Sequence, residues 1–350
     1  MPFAMKPSRF GLLFLRFGTI ATALLVGSAA IASDSFYSGK TIRLIVGSAP
    51  GGGYDLYSRI LARHLTGHIP GAPTIIVQNM PGAGGAKAAA YVASVAPRDG
   101  TVIGAVTPGS IINPLLNDKM KSEYDPRQLV FLGSMNNGTM VCVTSDRSGI
   151  RKYEDALEKR TIIATAGEGD TTRDYALLHR HTTAAKFEIV GGYANTTDIL
   201  LAMERGEADG ICGWDWSSMK AQKLQDLETK KLRLLVQVGL NPNSELTSMG
   251  IPEIWGYLKN PQDTDVTKLV ASQQVFVRPY VVPPDTPASA VADLRAAFVK
   301  TLQDPKFLAD AQNAKLDIQH VSGSDIQDRV KMIYSAPTAI LDRLRSILKP

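Results

Sequence analysis

Residues 42–55, with the sequence IRLIVGSAPGGGYD, constrain the fold of this chain more than any other stretch. Residues 42–46 form a short, mostly apolar run of the length and composition typical of a buried strand. Gly47 ends this run, and residues 51–53 are three consecutive glycines. Apolar side chains from Tyr57 to Leu65 then recur with the spacing of a helix, and Asp55 stands where a helix N-cap is expected. A strand, a glycine-rich turn and a helix in this order predict an α/β unit.

The same arrangement predicts a place for an anion. Backbone N–H groups at a helix start have no intrahelical partner and lie at the positive end of the helix dipole. A tight turn that binds nothing would use the same residues, so one loop does not decide between the two. A second copy favours binding: a strand-like run at 74–78, a glycine-rich loop at 79–85 and a helical segment at 86–95. Two such loops at the same ends of neighbouring parallel strands would face one crevice.

The chain length predicts two lobes. Its 350 residues exceed one ordinary core and suit two α/β lobes. Three strand–loop–helix units follow residue 34, which predicts a parallel sheet with right-handed crossovers. The sequence Tyr-Asp-Pro at 124–126 marks a boundary, because proline and its predecessor disfavour a helix. We predict a first lobe at 34–125 and 234–350 and a second lobe at 126–233, with an apolar strand at 232–238 leading back to the first.

Residues 1–32 have the composition of a cleavable signal peptide. Lys6, Arg9 and Arg16 precede or interrupt an apolar run at 17–31, and residues 30–32 have the small-x-small form of a signal-peptidase site. A retained membrane anchor is the alternative, but the run is short for a bilayer span. Removing the segment lowers the formal charge from +5 to about +2, which argues against a nucleic-acid partner. We expect export to the periplasm with cleavage after about residue 32.

Signatures of catalysis and metal binding are missing from the sequence. The chain contains no G-x-S-x-G elbow and no HExxH, and the GKT at 39–41 lacks the leading glycine of a P-loop. His179 and His181 fall late in a predicted helix and point about 200° apart, which predicts a solvated helix end and no metal ion. Loops rich in donors without a nucleophile and base fit reversible capture of a carboxylate better than turnover. We therefore predict a binding protein without a cofactor.

Two further features leave alternatives open. Cys142 and Cys212 lie in apolar strand-like runs, so a disulfide and two separately buried thiols both fit an exported chain. Trp214 and Trp216 flank Asp215 at a strand end, where lobe packing is favoured over a ligand platform.

Several motifs resemble the substrate-binding proteins of tripartite tricarboxylate transporters, often called Bug receptors. The two glycine loops carry the specific part of this resemblance: S-x-P-G-G-G-x-D at 48–55 and N-x-P-G-A-G-G at 79–85. Supporting matches follow at 124–126 (YDP), 167–172 (G-x-G-x-x-T), 206–210 (GEADG) and 283–287 (P-P-x-T-P). Met80 departs from the family, which usually has arginine there.

The resemblance implies a two-lobed periplasmic binding protein fold, type II-like, with the ligand cleft between the lobes. It implies a small organic carboxylate as ligand and integral membrane transporter subunits as partners, and we expect the receptor itself to be a monomer. The two glycine loops would hold one carboxylate, and the second lobe would select the remainder of the ligand. The alternatives are an enzyme that acts on an organic acid, with Asp170 or Asp215 as base, and a sensor for a membrane signalling partner. The candidate ligand-binding residues are Ser48, Gly52, Gly53, Tyr54, Asp55, Ala83, Gly84, Thr107, Ser110, Gly169, Asp170, Thr171, Thr172, Tyr193 and Asp215.

Overall fold

The computed structural model describes residues 35–117, 121 and 123–349, so the predicted signal peptide lies outside the described residues. The described strands form two sheets. The strands are β1 (Thr41–Val46), β2 (Thr74–Asn79), β3 (Val102–Ala105), β4 (Val130–Ser134), β5 (Met140–Ser145), β6 (Thr161–Ala164), β7 (Phe187–Val190), β8 (Gly210–Asp215), β9 (Leu232–Val238), β10 (Pro279–Val282) and β11 (Val321–Ser322).

The described α-helices follow the strands along most of the chain, as in an α/β fold. None of them is long and apolar enough to cross a membrane. The helices are α1 (Gly53–Leu65), α2 (Ala86–Ser94), α3 (Pro108–Leu116), α4 (Tyr153–Glu158), α5 (Thr171–Thr182), α6 (Thr196–Arg205), α7 (Trp216–Glu228), α8 (Ser244–Ser248), α9 (Pro261–Ala271), α10 (Ala288–Gln303), α11 (Pro305–Asn313), α12 (Gly323–Tyr334) and α13 (Thr338–Leu348).

The first sheet has the strand order β11-β4-β10-β3-β1-β2. Strands β1, β2 and β3 are parallel, as the three strand–loop–helix units predict, while β10 is antiparallel to both β3 and β4. Helices cover both faces of the sheet. Leu44 on one face packs in a core with Leu61 of α1 and Phe298 of α10, and Ile45 on the other face packs with Val92 of α2. Burial on both faces explains why β1 is apolar along most of its length.

The second sheet has the strand order β7-β6-β8-β5-β9. It also has a hydrophobic core on each face, one with helices α5, α9 and α13 and the other with α6 and α7. Cys142 of β5 and Cys212 of β8 lie on neighbouring antiparallel strands and form a disulfide, which resolves the choice that the sequence left open.

The strands depart from the predicted lobe boundaries. Strand β4, which the boundary after residue 125 assigned to the second lobe, pairs with β10 and β11 in the first sheet. Strand β9 does not return the chain to the first lobe, because it pairs with β5 at the edge of the second sheet. Helix α13 packs Leu344 and Ile347 into the core that contains Cys142, so part of the C-terminal segment belongs to the second lobe. An apolar strand has the same pattern in either sheet, and only long-range pairing decides its place.

Candidate ligand-binding cleft

A cavity of about 400 Å³ lies between the two sheets and is lined from both sides. The first lobe, which is built on the first sheet, contributes both glycine loops, at the carboxyl ends of β1 and β2, together with Thr107 after β3. The second lobe contributes the loops that follow β6 and β7, together with the end of β8 and the start of α7. This is the position at which open α/β sheets bind ligands.

Six of the described helices begin at the cavity. The N-cap residue of each lines it: Gly52 of α1, Gly85 of α2, Thr107 of α3, Asp170 of α5, Asn195 of α6 and Asp215 of α7. The N-cap side chains of α3, α5, α6 and α7 accept a backbone hydrogen bond, whereas α1 and α2 begin at glycines without a capping side chain. Because helix N-termini carry partial positive charge and free N–H groups, this cavity favours an anionic group.

Twelve of the fifteen candidate residues line the cavity, and Asp55, Ser110 and Gly169 do not. Gly52 is the N-cap of α1, so Asp55 stands within the first turn, and the expectation that it caps the helix is wrong. Ser110 is fully buried and bonds to Thr107 within the start of α3. The twelve are Ser48, Gly52, Gly53, Tyr54, Ala83, Gly84, Thr107, Asp170, Thr171, Thr172, Tyr193 and Asp215.

Asp55 links the two glycine loops through hydrogen bonds, although it does not line the cavity. Its carboxylate accepts hydrogen bonds from the Gly51 backbone N–H at 3.0 Å, from Asn79 Nδ2 at 2.9 Å and from Arg59 Nε at 2.9 Å. Burial alone would raise the pKa of Asp55, but the bonds from Arg59, Gly51 and Asn79 lower it below the usual value. Asn79 also donates to the Ser48 carbonyl at 2.9 Å. Asp55 therefore shapes the site without lining it.

The two lobes contact each other through both glycine loops. At the first loop, Asn195 Nδ2 donates to the Pro50 carbonyl at 3.0 Å, and Thr197 Oγ1 donates to the Gly51 carbonyl at 3.2 Å. At the second loop, a Cβ added to Gly84 would lie 2.3 Å from the carbonyl carbon of Gly169. Gly169 thus belongs to the contact between the lobes, and only a residue without a side chain fits there.

Arg278 lines the cavity, although no motif identified it. It precedes β10 of the first sheet, and its Nη2 lies 3.2 Å from Asp215 Oδ1 at the end of β8 in the second sheet. Nη2 also donates to Ser218 Oγ at 2.7 Å, and the guanidinium lies 4.3 Å from the centre of the Tyr54 ring. Burial would lower the pKa of Arg278, but the charge of Asp215 raises it above the usual value. An arginine inside the apolar run 275–282 was the available signal.

Asp170 is the other carboxylate that lines the cavity from the second lobe, and Asp174 lies close to it on α5. Asp170 Oδ1 accepts from the Thr172 N–H at 2.9 Å and from Thr172 Oγ1 at 2.6 Å. Burial raises the pKa of Asp170 by more than these two bonds lower it. Asp174, one turn along α5, does not line the cavity. Its burial, together with the charge of Asp170, raises its pKa to about 7.

The two tryptophans at the junction of β8 and α7 are buried, as the packing interpretation expects. Trp214 is 3% exposed and Trp216 is 2% exposed, and both belong to a core of the second lobe. Trp214 also lines the cavity, whereas Trp216 donates from Nε1 to Glu245 at 2.8 Å. Met80 packs against a core of the first lobe and does not line the cavity.

His179 differs from the prediction of a solvated helix end. It is fully buried, and Tyr153 Oη lies 2.6 Å from its Nδ1. Burial lowers the pKa of His179 to about 3, so the ring is neutral. A ring nitrogen lies within 4.8 Å of both cysteine sulfurs, but in the disulfide these sulfurs are bonded to each other and are not thiolate ligands. His181 is exposed, as the opposite orientation of the two rings requires.

The chain matches no family model and no curated protein in sequence. Its fold is similar to solved periplasmic binding proteins. MatC from Rhodopseudomonas palustris with bound malate has a TM-score of 0.66 and 17% identity over 89% of this chain and 99% of that chain. An R. palustris protein with adipate gives 0.67 and 19%, over 88% and 97% of the two chains. Periplasmic binding protein BugD gives 0.67 and 18%, over 89% and 98%. The predicted two-lobed periplasmic binding protein fold is confirmed.

Proposed function

We propose that this chain is a periplasmic solute-binding receptor of the tripartite tricarboxylate transporter type. In this proposal it captures a small organic carboxylate and delivers it to integral membrane transporter subunits. The observation that carries the proposal is the meeting of six helix N-termini at one cavity. The motifs of the two glycine loops support the assignment to this receptor type.

A carboxylate fits the first-lobe side of the cavity best. Helices α1 and α2 begin there at Gly52 and Gly85, and no side chain caps their free N–H groups. A charge-assisted hydrogen bond contributes roughly 1.5–3 kcal/mol. A few such bonds, less the cost of ordering, reach the ~8 kcal/mol that micromolar binding requires. Two of the solved structures with this fold carry malate or adipate, which are both carboxylates.

The residues at the cavity favour binding over catalysis. Its lining, within the described part of the chain, includes no histidine and no cysteine, and its only cation is Arg278. Asp215 is one of the two bases that an enzyme would use. Its carboxylate already forms an ion pair with Arg278 and accepts the Ser218 N–H as the N-cap of α7. A general base must reach its substrate with a free lone pair. Asp170 accepts a hydrogen bond from the hydroxyl of Thr172, but this hydroxyl is held within the start of α5, where it also accepts from the Ala166 N–H at 3.0 Å.

A thermal-shift screen of carboxylic acids tests the proposal. We expect one class of small acids to raise the melting temperature in proportion to occupancy, and the methyl ester or neutral alcohol of the same acid to have no effect. NMR of the recovered ligand should show the acid chemically unchanged. A screen in which no acid stabilises the chain, or in which the bound acid is converted to a product, would contradict the receptor function.

The proposed location has its own test. After expression with residues 1–32 present, the chain recovered from the periplasmic fraction should lack about these residues in intact-mass measurement. Recovery of the complete chain from the cytoplasm alone would contradict export.

A further inference from the structure

The two sides of the cavity differ in charge. On the first-lobe side, α1 and α2 begin without a capping side chain, and the cap of α3 is the neutral hydroxyl of Thr107. On the second-lobe side, the cap of α6 is the neutral Asn195, but the caps of α5 and α7 are the carboxylates Asp170 and Asp215. A carboxylate at a helix start offsets the partial positive charge of that helix. Anion binding is therefore concentrated on the first-lobe side.

Asp215 and Asp170 differ in the number of hydrogen bonds and ion pairs that their carboxylates form. Asp215 Oδ1 lies 3.2 Å from Arg278 Nη2 and accepts from both the backbone N–H and the hydroxyl of Ser218. Asp170 accepts through Oδ1 alone, from Thr172. Among the residues that the structure describes, no donor reaches Asp170 Oδ2 and no cation forms an ion pair with this carboxylate. Asp170 thus keeps acceptor capacity at the cavity.

We propose that Asp170 forms a hydrogen-bond-accepting subsite for the end of the ligand opposite its carboxylate. The ligand is then a monocarboxylate that carries a donor at its far end, such as an amide N–H, a hydroxyl or an ammonium group. This inference rests on the proposed function, because it assumes a carboxylate at the glycine loops. A second carboxylate at the far end would face Asp170 with the same charge, and the one cation in the described lining, Arg278, is already paired with Asp215. The subsite therefore selects against dicarboxylates.

Three probes of equal chain length isolate the far group. Succinate, succinamate and 4-aminobutanoate share one carboxylate and a four-carbon chain, and they end in a carboxylate, an amide and an ammonium group. Isothermal titration at pH 7.5 should give the amide or the ammonium probe at least tenfold tighter binding than succinate. In the Asp170→Asn variant, which keeps an oxygen for the α5 cap, this preference should fall at least tenfold.

A matched variant separates the subsite from general charge. Glu168→Gln removes a carboxylate from the same loop at a residue that does not line the cavity, and it should leave the preference unchanged. If another acid is the tightest binder in the screen, the same comparison is made between that acid and its amide and amine analogues. A melting scan of the ligand-free Asp170→Asn chain checks that the fold is retained.

Equal or tighter binding of succinate by the unaltered chain would overturn the subsite. So would an unchanged preference in Asp170→Asn. These outcomes leave the receptor function standing, since a carboxylate still binds. If no carboxylic acid binds in any format, the receptor function fails and the subsite fails with it.

Discussion

Asp215 and Arg278 form a buried ion pair that joins the two sheets at the cavity. Their nearest atoms are 3.2 Å apart, and both side chains are 4% exposed. Asp215 is the last residue of β8 in the second sheet, and Arg278 directly precedes β10 in the first. Removing one partner of a buried pair leaves an uncompensated charge, which costs far more than the pair contributes.

Replacing Arg278 by methionine should therefore lower the free energy of unfolding by about 3–5 kcal/mol. The double variant Arg278→Met/Asp215→Asn should recover at least half of this loss, because neither charge remains buried alone. Urea denaturation measures both effects. The matched control is Arg63→Met, whose ion pair with Asp310 is exposed and should contribute less than about 1 kcal/mol. Similar losses in the two single variants would show that the Asp215–Arg278 pair has no special role.

A side chain at Gly53 should abolish carboxylate binding while the fold is kept. A Cβ at this position would lie 2.5 Å from Ser218 Oγ and 3.2 Å from Arg278 Nη2, so valine would displace the start of α1. We expect Gly53→Val to weaken the best acid at least hundredfold, about 2.7 kcal/mol, in isothermal titration. Gly67→Val is the control, because an added Cβ there meets no atom within 4 Å. Unaltered affinity in Gly53→Val would mean that the first loop is not the anchor.

Asp174 should make the chain less stable as the pH rises. Its pKa is about 7 in the folded chain against the usual 3.8, so the folded state holds an extra proton between these values. Its favourable contribution is complete below about pH 4 and is lost as the pH rises through 7. Asp174→Asn should therefore raise the free energy of unfolding at pH 8 by roughly 4 kcal/mol and change it much less at pH 4.5.

Urea denaturation at the two pH values tests this expectation for Asp174. Because His179 is buried and neutral, the free energy of unfolding also falls as the pH drops below 6.5, the usual pKa of histidine. This effect is the same in Asp174→Asn and in the unaltered chain, so it cancels in their difference. The exposed Asp328→Asn change is the control and should have no effect at either pH. Equal stability of Asp174→Asn and the unaltered chain at pH 8 would refute the prediction.

The Cys142–Cys212 disulfide should stabilise the second lobe. It joins residues 70 positions apart, for which loop closure predicts about 4 kcal/mol. In urea denaturation, the double variant Cys142→Ser/Cys212→Ser should have a free energy of unfolding lower by that amount. A thiol reductant should destabilise only the unaltered chain. Peptide mapping without reduction should recover the linked pair. Two free thiols in the purified chain would contradict the bond.

The parts of the fold that sequence predicted are those set by local pattern. Strand β1, its glycine loop and α1 follow one another within 25 residues, and their order alone indicates a parallel unit. The place of β9 depends on its pairing with β5, about 90 residues earlier in the chain. The sequence of an apolar strand does not indicate which strand it pairs with. The same limit applies to His179, because helical spacing separated its ring from that of His181 but did not reveal which one faces the core.

The candidate site divides in the same way. The glycine loops are contiguous motifs, so their residues could be identified one by one, and their role in ligand binding stays a prediction. Arg278 is a single residue in an apolar run, and its position at the cavity results from the second crossing between the lobes, which follows β9. The meeting of six helix starts is likewise a property of the assembled fold. No single segment of the sequence contains it.

The contact between the lobes at Gly84 and Gly169 limits which residues can change in a chain with this fold. A Cβ added to Gly109 would lie 1.9 Å from the Gly169 carbonyl oxygen, so three residues without side chains meet at this seam. Any larger residue there would hold the lobes apart whatever solute was present. A change in the solute that the cavity favours must therefore come from other lining residues, such as Asp170 or Tyr193, while the three glycines at the contact are kept.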